Sequence, residues 1–198
     1  MLEVILANEA YILSDDNDEI SNGYRKICNL LVENKLTEPI IAVKDILELK
    51  AKVKALLSSA GKGKIILNKK REIPLWRAFI IPANSNLIIK PDRGAAIYLG
   101  VKGLCSPKDS DIQLRGGDIV PCKQLNGELD LNNLIASKVP ESLLKMYLGL
   151  NGNLKERKYI LGKILRHINL AREAIMRGAK LIKVNVNGEK YEVLIEEI

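Results

Sequence analysis

Side chains that bind metals or form disulfides are scarce in this chain. Its 198 residues include one histidine and three cysteines. Cys28, Cys105 and Cys122 form no Cys-x-x-Cys pair, and their odd number does not fit a disulfide framework. His167 has no visible ligand or base partner, so neither a structural zinc site nor a histidine-based acid–base pair is indicated. We therefore expect no metal and no cofactor.

Long hydrophobic runs are also absent, and aromatic residues are few. No stretch approaches the roughly 20 consecutive apolar residues that a membrane span requires, and Glu3 lies where a secretory signal would be positively charged. The net charge is +7 and aromatic residues make up only 4% of the chain. The basic run from Lys62 to Arg71 therefore lacks a base-stacking platform. We expect a cytoplasmic protein that does not bind membranes, and nucleic acid is not the favoured partner.

Residues 1–135 are predicted to form a domain rich in strands. A helix over residues 21–34, with Ser21 as its N-cap, interrupts the strands. Residues 45–59 are ambiguous, because Ile46, Leu49 and Val53 have the spacing of an amphipathic helix. The predicted strands cover residues 2–6, 11–13, 39–43, 63–67, 78–82, 86–90 and 95–101.

Residues 136–198 are predicted to form a helical extension that ends in a β-hairpin. A short helix follows Pro140, a long helix covers residues 154–178, and Asn187-Gly188 marks a two-residue hairpin turn. The long helix is predicted to be amphipathic and basic. Its expected apolar face consists of Leu161, Ile164, Ile168, Ala171 and Ile175, and its opposite face carries Lys155, Arg166 and Arg177.

Four segments carry a resemblance to a known family. They are Arg25 to Asn34, Ile73-Pro74-Leu75-Trp76-Arg77, Ile80 to Leu87, and Ala96 to Gly103. Together they resemble the biotin-dependent carboxyltransferase family, which includes allophanate hydrolase subunit 2, a subunit of 5-oxoprolinase and the carboxyltransferase part of urea amidolyase. The resemblance covers roughly residues 1–121.

The resemblance implies an α+β, mainly β fold. A cyclophilin-like β-barrel with an N-terminal helix is expected in residues 1–135, and a C-terminal helix plus β-hairpin in residues 136–198. It also implies that residues 46–59 are strands, since intrinsic helix propensity is a weak guide when tertiary context opposes it.

The resemblance also implies a function. Relatives carry a Gly-Ser-x-Ser-Thr stretch after the tyrosine strand, whereas this chain has Lys108-Asp109-Ser110-Asp111, and relatives have a second barrel-forming half. Catalytic residues are therefore not assigned, and enzyme status is left open. We interpret the chain as a shortened, divergent family member, a component or regulator of a split urea- or 5-oxoproline-processing enzyme. The expected partner is an allophanate hydrolase subunit 1-like protein, and a homo-oligomer is left open.

Trp76, Arg77 and Tyr98 are the candidate substrate-binding residues. An indole can stack on a planar urea-like or lactam group, and a guanidinium can pair with a carboxylate. In the alternative interpretation, Trp76 fills the barrel end, Arg77 extends along the surface and Tyr98 belongs to the core.

A different class of function is also left open. The basic helix over residues 154–178 is typical of a protein- or nucleic-acid-binding module without chemistry. The hairpin at the C-terminal end is loosely similar to the opening hairpin of biotinyl domains. Since no Met-Lys-Met acceptor follows it, the chain is not expected to carry biotin.

Overall fold

The computed structural model describes residues 1–14, 19–104, 111–125, 137–150, 153–186 and 188–195. The chain divides into two compact units, Met1–Gly127 and Glu128–Ile198. The predicted domain boundary at residue 135 and the predicted Asn126-Gly127 turn lie outside the described residues, as do Lys108 to Ser110.

The first unit is a mostly antiparallel sheet of ten strands that curves into a nearly closed barrel. The hydrogen-bonded neighbours follow the order β5-β4-β7-β2-β8-β3-β6, and β1 pairs with β2, β9 and β10. The prediction of an α+β, mainly β barrel is confirmed. The strands are β1 (Leu2–Leu13), β2 (Ile40–Ala51), β3 (Ala55–Gly61), β4 (Gly63–Leu67), β5 (Arg71–Ile73), β6 (Arg77–Ile81), β7 (Asn86–Pro91), β8 (Ile97–Val101), β9 (Ile112–Gln113) and β10 (Ile119–Val120).

The barrel interior is filled by alternate residues of these strands, because successive side chains of a strand point to opposite faces. On β8, Ile97, Leu99 and Val101 belong to the apolar core of the barrel. Tyr98 and Gly100 therefore face outward, yet both are buried. The element that covers them is the helix α1 (Glu19–Leu31).

Helix α1 packs closely against the outer face of β3 and β8. Gly100 permits this approach: a Cβ at that position would be 2.5 Å from the Ser58 hydroxyl oxygen and 2.7 Å from the Cys28 carbonyl oxygen. On the helix, Ile27, Cys28 and Leu31 are buried. Because the helix covers one face and the barrel interior the other, all seven residues of β3 are buried.

Two sequence predictions for the first unit are wrong in detail. Residues 2–6 and 11–13 belong to one continuous strand, β1, in which irregularities of pairing follow Val4 and Asn8. Ser21 is not the N-cap, since α1 already includes Glu19, and it is buried within the helix. Its hydroxyl contacts the hydroxyl of a tyrosine of the barrel at 2.7 Å, so Ser21 packs against the sheet.

The ambiguous segment 45–59 forms strands, as the resemblance implied. It lies in β2 and β3, with a turn at residues 52–54 between them. In β2 the residues Leu47, Leu49 and Ala51 are buried at every second position, which is the period of a strand facing a core. The helix-like spacing was misleading because the neighbouring strands offered hydrogen bonds and burial that local propensity does not include.

The second unit consists of two helices and a hairpin. Its elements are α2 (Glu141–Gly149), α3 (Leu154–Met176), β11 (Lys180–Val186) and β12 (Glu189–Ile195). The side chain of Asn153 caps α3 by accepting a hydrogen bond from the Glu156 amide at 3.1 Å. Within the described ranges, none of the helices α1 to α3 combines the length and the apolarity that crossing a membrane would demand.

The buried face of α3 differs from the prediction by one residue. Ile160, Ile164, Ile168, Ala171 and Ile175 are buried, whereas Leu161 is half-buried. Ile160 precedes Ile164 by four residues and continues the same stripe, so it meets the neighbouring element more directly than Leu161. Lys155, Arg166 and Arg177 are exposed, as predicted.

Candidate functional site

Three aromatic residues meet between α1 and the barrel. The ring centroid of Tyr24 lies 5.4 Å from that of Trp76, edge to face, and 5.0 Å from that of Tyr98. Trp76 and Tyr98 are therefore joined through a residue of α1. Sequence reasoning did not place Tyr24 in the site, because only the barrel brings residues 24, 76 and 98 together.

Trp76 is held by two hydrogen bonds to the end of β3. Its main-chain N–H donates to the Ser59 carbonyl at 2.9 Å, and its indole N–H donates to the Gly61 carbonyl at 3.0 Å. The side chain is 6% exposed, and the backbone has a φ of +64°. This left-handed conformation is unfavourable for a tryptophan, so the surrounding contacts must impose it. The indole N–H is thus committed to the fold.

Tyr98 is fixed at both its main chain and its hydroxyl. Its hydroxyl oxygen lies 2.7 Å from the Ser21 hydroxyl oxygen, and its carbonyl accepts a hydrogen bond from the Cys28 thiol at 3.4 Å. The residue is 8% exposed. Tyr98 therefore joins α1 to the barrel at two points.

Cys28 has the environment of a structural thiol rather than a nucleophile. Burial raises the pKa of Cys28 to about 12, although the nearby Ser58 hydroxyl acts in the opposite direction. The Ser58 hydroxyl also donates to the Cys28 carbonyl at 2.7 Å. A thiol with such a raised pKa holds almost no thiolate near neutral pH, so it is not poised for covalent catalysis.

Asn29 and Asn34 have structural roles. They belong to the segment Arg25 to Asn34, which carried part of the resemblance. The Asn29 side-chain amide donates to the Glu38 carbonyl at 2.6 Å. The Asn34 amide donates to the Val101 carbonyl at 2.9 Å, and its oxygen accepts from the Gly103 amide at 3.2 Å. The Asn29 contact fixes the chain that follows α1, and the Asn34 contacts tie that chain to the end of β8. The motif therefore specifies how helix and barrel join.

Arg77 lies on the other side of the sheet from the aromatic group. It is the first residue of β6 and pairs with Ser59 of β3. Phe79 and Ile81, two and four residues further along β6, belong to the barrel core, so Arg77 shares their inward-facing side of the strand. It is half-buried, which places it at the barrel end with access to solvent.

Ser59 is the residue of this region that sequence reasoning missed. It alternates with Leu57, a core residue, and therefore faces the barrel interior. It is 0% exposed, and within the described part of the chain its hydroxyl has no hydrogen-bond partner. Sequence alone signals only a polar residue within an apolar strand.

The second unit carries an open apolar groove and the single histidine. The groove has a volume of about 510 Å³ and is lined by residues of α2 and α3, among them Met146 and Tyr159, which are 52% and 63% exposed. Desolvation and the nearby Lys138 lower the pKa of His167. Among the residues that the structure describes, histidine, cysteine, aspartate and glutamate form no group of three that would hold a metal.

Comparison with known proteins yields structural matches alone. No protein-family model and no curated protein matches the chain. The solved structure of TTHA0988 is 22% identical over 64% of this chain and 57% of its own, with a TM-score of 0.51. The K. lactis urea amidolyase is 15% identical over 72% of this chain and 11% of its own, with a TM-score of 0.54.

These matches establish likeness of fold. A second crystal form of TTHA0988 gives a TM-score of 0.55 at 20% identity, over 65% of this chain and 31% of that chain. The chain spans little more than half of TTHA0988 at most and about a tenth of the urea amidolyase. The barrel is therefore similar to one part of larger proteins.

Proposed function

We propose that the chain is a divergent relative of allophanate hydrolase subunit 2 and acts as a component or regulator of a split urea- or 5-oxoproline-processing enzyme. This proposal rests on where the structure puts the two segments that contain Trp76 and Tyr98, both of which carry part of the resemblance. Trp76 and Tyr98 flank the same strand, β3, and meet the same residue of α1. The likeness of fold to urea amidolyase supports the same family.

A role as a component, rather than as the catalyst, fits the chemistry of the aromatic group. The polar atoms of Trp76 and Tyr98 bond to the protein itself, and Cys28 is a buried neutral thiol. None of these three side chains supplies a general base or a nucleophile. Any activity would then use groups other than these three side chains, and a partner is one source of such groups.

The outer face of β1 and β10 has the character of a partner surface. Ile5 and Leu6 of β1 are 45% and 47% exposed, and Ile119 of β10 is 51% exposed. Among the described strands β10 pairs with β1 alone, and a strand edge without a partner strand can add a strand of another chain. Large exposed apolar side chains beside an open strand edge are typical of a protein-binding surface.

Copurification with an allophanate hydrolase subunit 1-like protein tests the proposal. We expect a stable complex that hydrolyses 5-oxoproline or allophanate in an ATP-dependent reaction. Ile5→Asp and Ile119→Asp should weaken the complex, because they add charge to the apolar face. Leu36→Asp is the matched control, because Leu36 is also an exposed aliphatic residue of the first unit (37% exposed). Absence of both complex and hydrolysis would contradict the proposal.

The second candidate function is a binding module that uses the basic helix. The cations Lys155, Lys158 and Arg166 of α3 are exposed, which favours attraction to a polyanion. However, Glu156 and Glu173 are exposed on the same helix, and aromatic residues are few. Titration of a labelled DNA duplex at low and at physiological salt distinguishes the two functions, because phosphate binding weakens steeply with salt. Lack of binding at both salt concentrations would eliminate the nucleic-acid-binding version of this candidate.

A further inference from the structure

We propose that the barrel end at Ser59 and Arg77 binds a small carboxylate, which accepts hydrogen bonds from the Ser59 hydroxyl and the Arg77 guanidinium. The site would be distinct from the aromatic group on the outer side of the sheet. It requires no catalysis and no partner protein, so it is independent of the proposed function.

The buried hydroxyl of Ser59 lacks a partner in the part of the chain that the structure describes and so favours a ligand. A polar group that is removed from water without a partner costs free energy, and most buried polar groups in native proteins are bonded. Ser59 is fully buried, and among the described residues its hydroxyl lacks a partner. Its neighbours on the same face, Leu57 and Leu99, are core residues that offer no polar side chain. An alanine would suit this position better if packing were its only role.

Arg77 lies beside Ser59 on the neighbouring strand. The two residues are directly paired on adjacent antiparallel strands and share the inward face. Side chains in this relation have Cβ atoms about 5 Å apart, within reach of one small ligand. Arg77 is half-buried, and no ion pair joins it to another of the residues that the structure describes. A cation in this position attracts an anion that can enter from the barrel end.

A strained turn holds Ser59 and Arg77 in place. Trp76 immediately precedes Arg77 and has a φ of +64°, and its main-chain N–H bonds the carbonyl of Ser59 itself. Strained backbone that the surrounding fold enforces occurs often at ligand sites. Trp76 thus acts as a positioning residue, which orients Arg77 toward the ligand while its own indole packs against Tyr24.

The geometry favours a carboxylate over other anions. A guanidinium pairs with a planar carboxylate through two parallel hydrogen bonds, and a serine hydroxyl can add a third. The surrounding side chains, among them Leu99 and Phe79, are apolar, which suits a short hydrocarbon chain attached to the carboxylate. The ligand class is therefore a small monocarboxylic acid in its anionic form.

NMR titration of the full chain with sodium propionate tests the site, with sodium chloride at equal ionic strength as the reference. We expect saturable shifts of the Ser59 amide and of the Arg77 side-chain N–H signals with propionate but not with chloride. Ser59→Ala should lower the affinity by about 10- to 150-fold, the loss of one hydrogen bond to a charged group. Arg77→Gln should abolish saturable binding. Arg93→Gln is the matched control, because Arg93 is an exposed arginine of the first unit.

Ser59→Ala also provides a readout that separates binding from packing. Removal of an unsatisfied hydroxyl from an apolar interior should raise the urea midpoint of the ligand-free protein. Higher stability together with weaker propionate binding supports the site. Unchanged propionate affinity in Ser59→Ala, equal binding by Arg77→Gln and the original protein, or equal shifts with chloride would each overturn the proposal.

Discussion

The hydroxyl oxygens of Ser21 and Tyr98 lie 2.7 Å apart and connect the first turn of α1 to the centre of the barrel sheet. Both residues are buried, at 8% exposure each. The contact spans 77 residues of sequence, so it forms only after helix and sheet have packed. It shows why Ser21 is not the N-cap of the helix and why Tyr98 is fixed in place.

Tyr98→Phe should destabilise the first unit by about 1 kcal/mol, because it leaves the buried Ser21 hydroxyl without this partner. Urea unfolding measured by circular dichroism gives the change. Tyr11→Phe is the control, since Tyr11 is a half-buried tyrosine of the same barrel. Ser21→Ala combined with Tyr98→Phe should cost less than the two separate losses added together. Strict additivity would show that the hydroxyls do not interact.

Trp76 should report the state of the first unit by its fluorescence. It is the single tryptophan of the chain and is 6% exposed, so native emission should be blue-shifted and poorly quenched by acrylamide. Unfolding in urea should shift the emission to the red in one transition. Ready quenching in the native protein would contradict the packed position of the indole between Tyr24 and Gly61.

Gly100→Ala should lower stability by about 2 kcal/mol or more, because the new methyl group would overlap the Cys28 carbonyl that α1 presents. The matched control is Gly162→Ala on α3, where no atom lies within 4 Å of the added Cβ. There the substitution should raise stability by about 0.5–1 kcal/mol through helix propensity. Thermal unfolding of the two variants measures both effects. Equal changes in Tm for Gly100→Ala and Gly162→Ala would contradict the close contact of helix and barrel.

Stability should fall at alkaline pH because of Cys28. Burial raises the pKa of this thiol from 9.0 to about 12, so above pH 9 the unfolded chain releases a proton that the native state keeps. The stabilising contribution is complete below pH 9 and is lost as the pH rises toward 12. Urea unfolding of the original protein and of Cys28→Ala across this range isolates the effect, since other groups titrate in both. If the unfolding free energies of the two proteins changed with pH in parallel, this role of Cys28 would be contradicted.

Alkylation provides an independent measurement on the same thiol. Iodoacetamide near pH 8 should modify Cys122, which is partly exposed, before Cys28, which is buried. Cys28 should become reactive only in urea. Mass spectrometry of the peptides identifies each site, and rapid native labelling of Cys28 would show that α1 opens readily.

Local patterns in the chain determined most of the strand positions and the helices of the second unit. The β4 strand, the helix after Pro140 and the Asn153 cap follow from turn residues, alternation and capping chemistry, which act over a few residues. The strands on either side of Asn187-Gly188 similarly pair as predicted. These features need no information from distant parts of the chain.

Tertiary structure alone decided the rest. Residues 45–59 became strands because β8 and β7 supply hydrogen bonds and burial that outweigh helix propensity. The same packing separated the candidate residues: Tyr98 and Trp76 meet Tyr24 outside the barrel, while Arg77 meets Ser59 inside it. The order of amino acids determines which side chains are present and how they alternate along a strand. Which strands become neighbours depends on contacts between residues far apart in the chain, and those contacts exist only in the folded barrel.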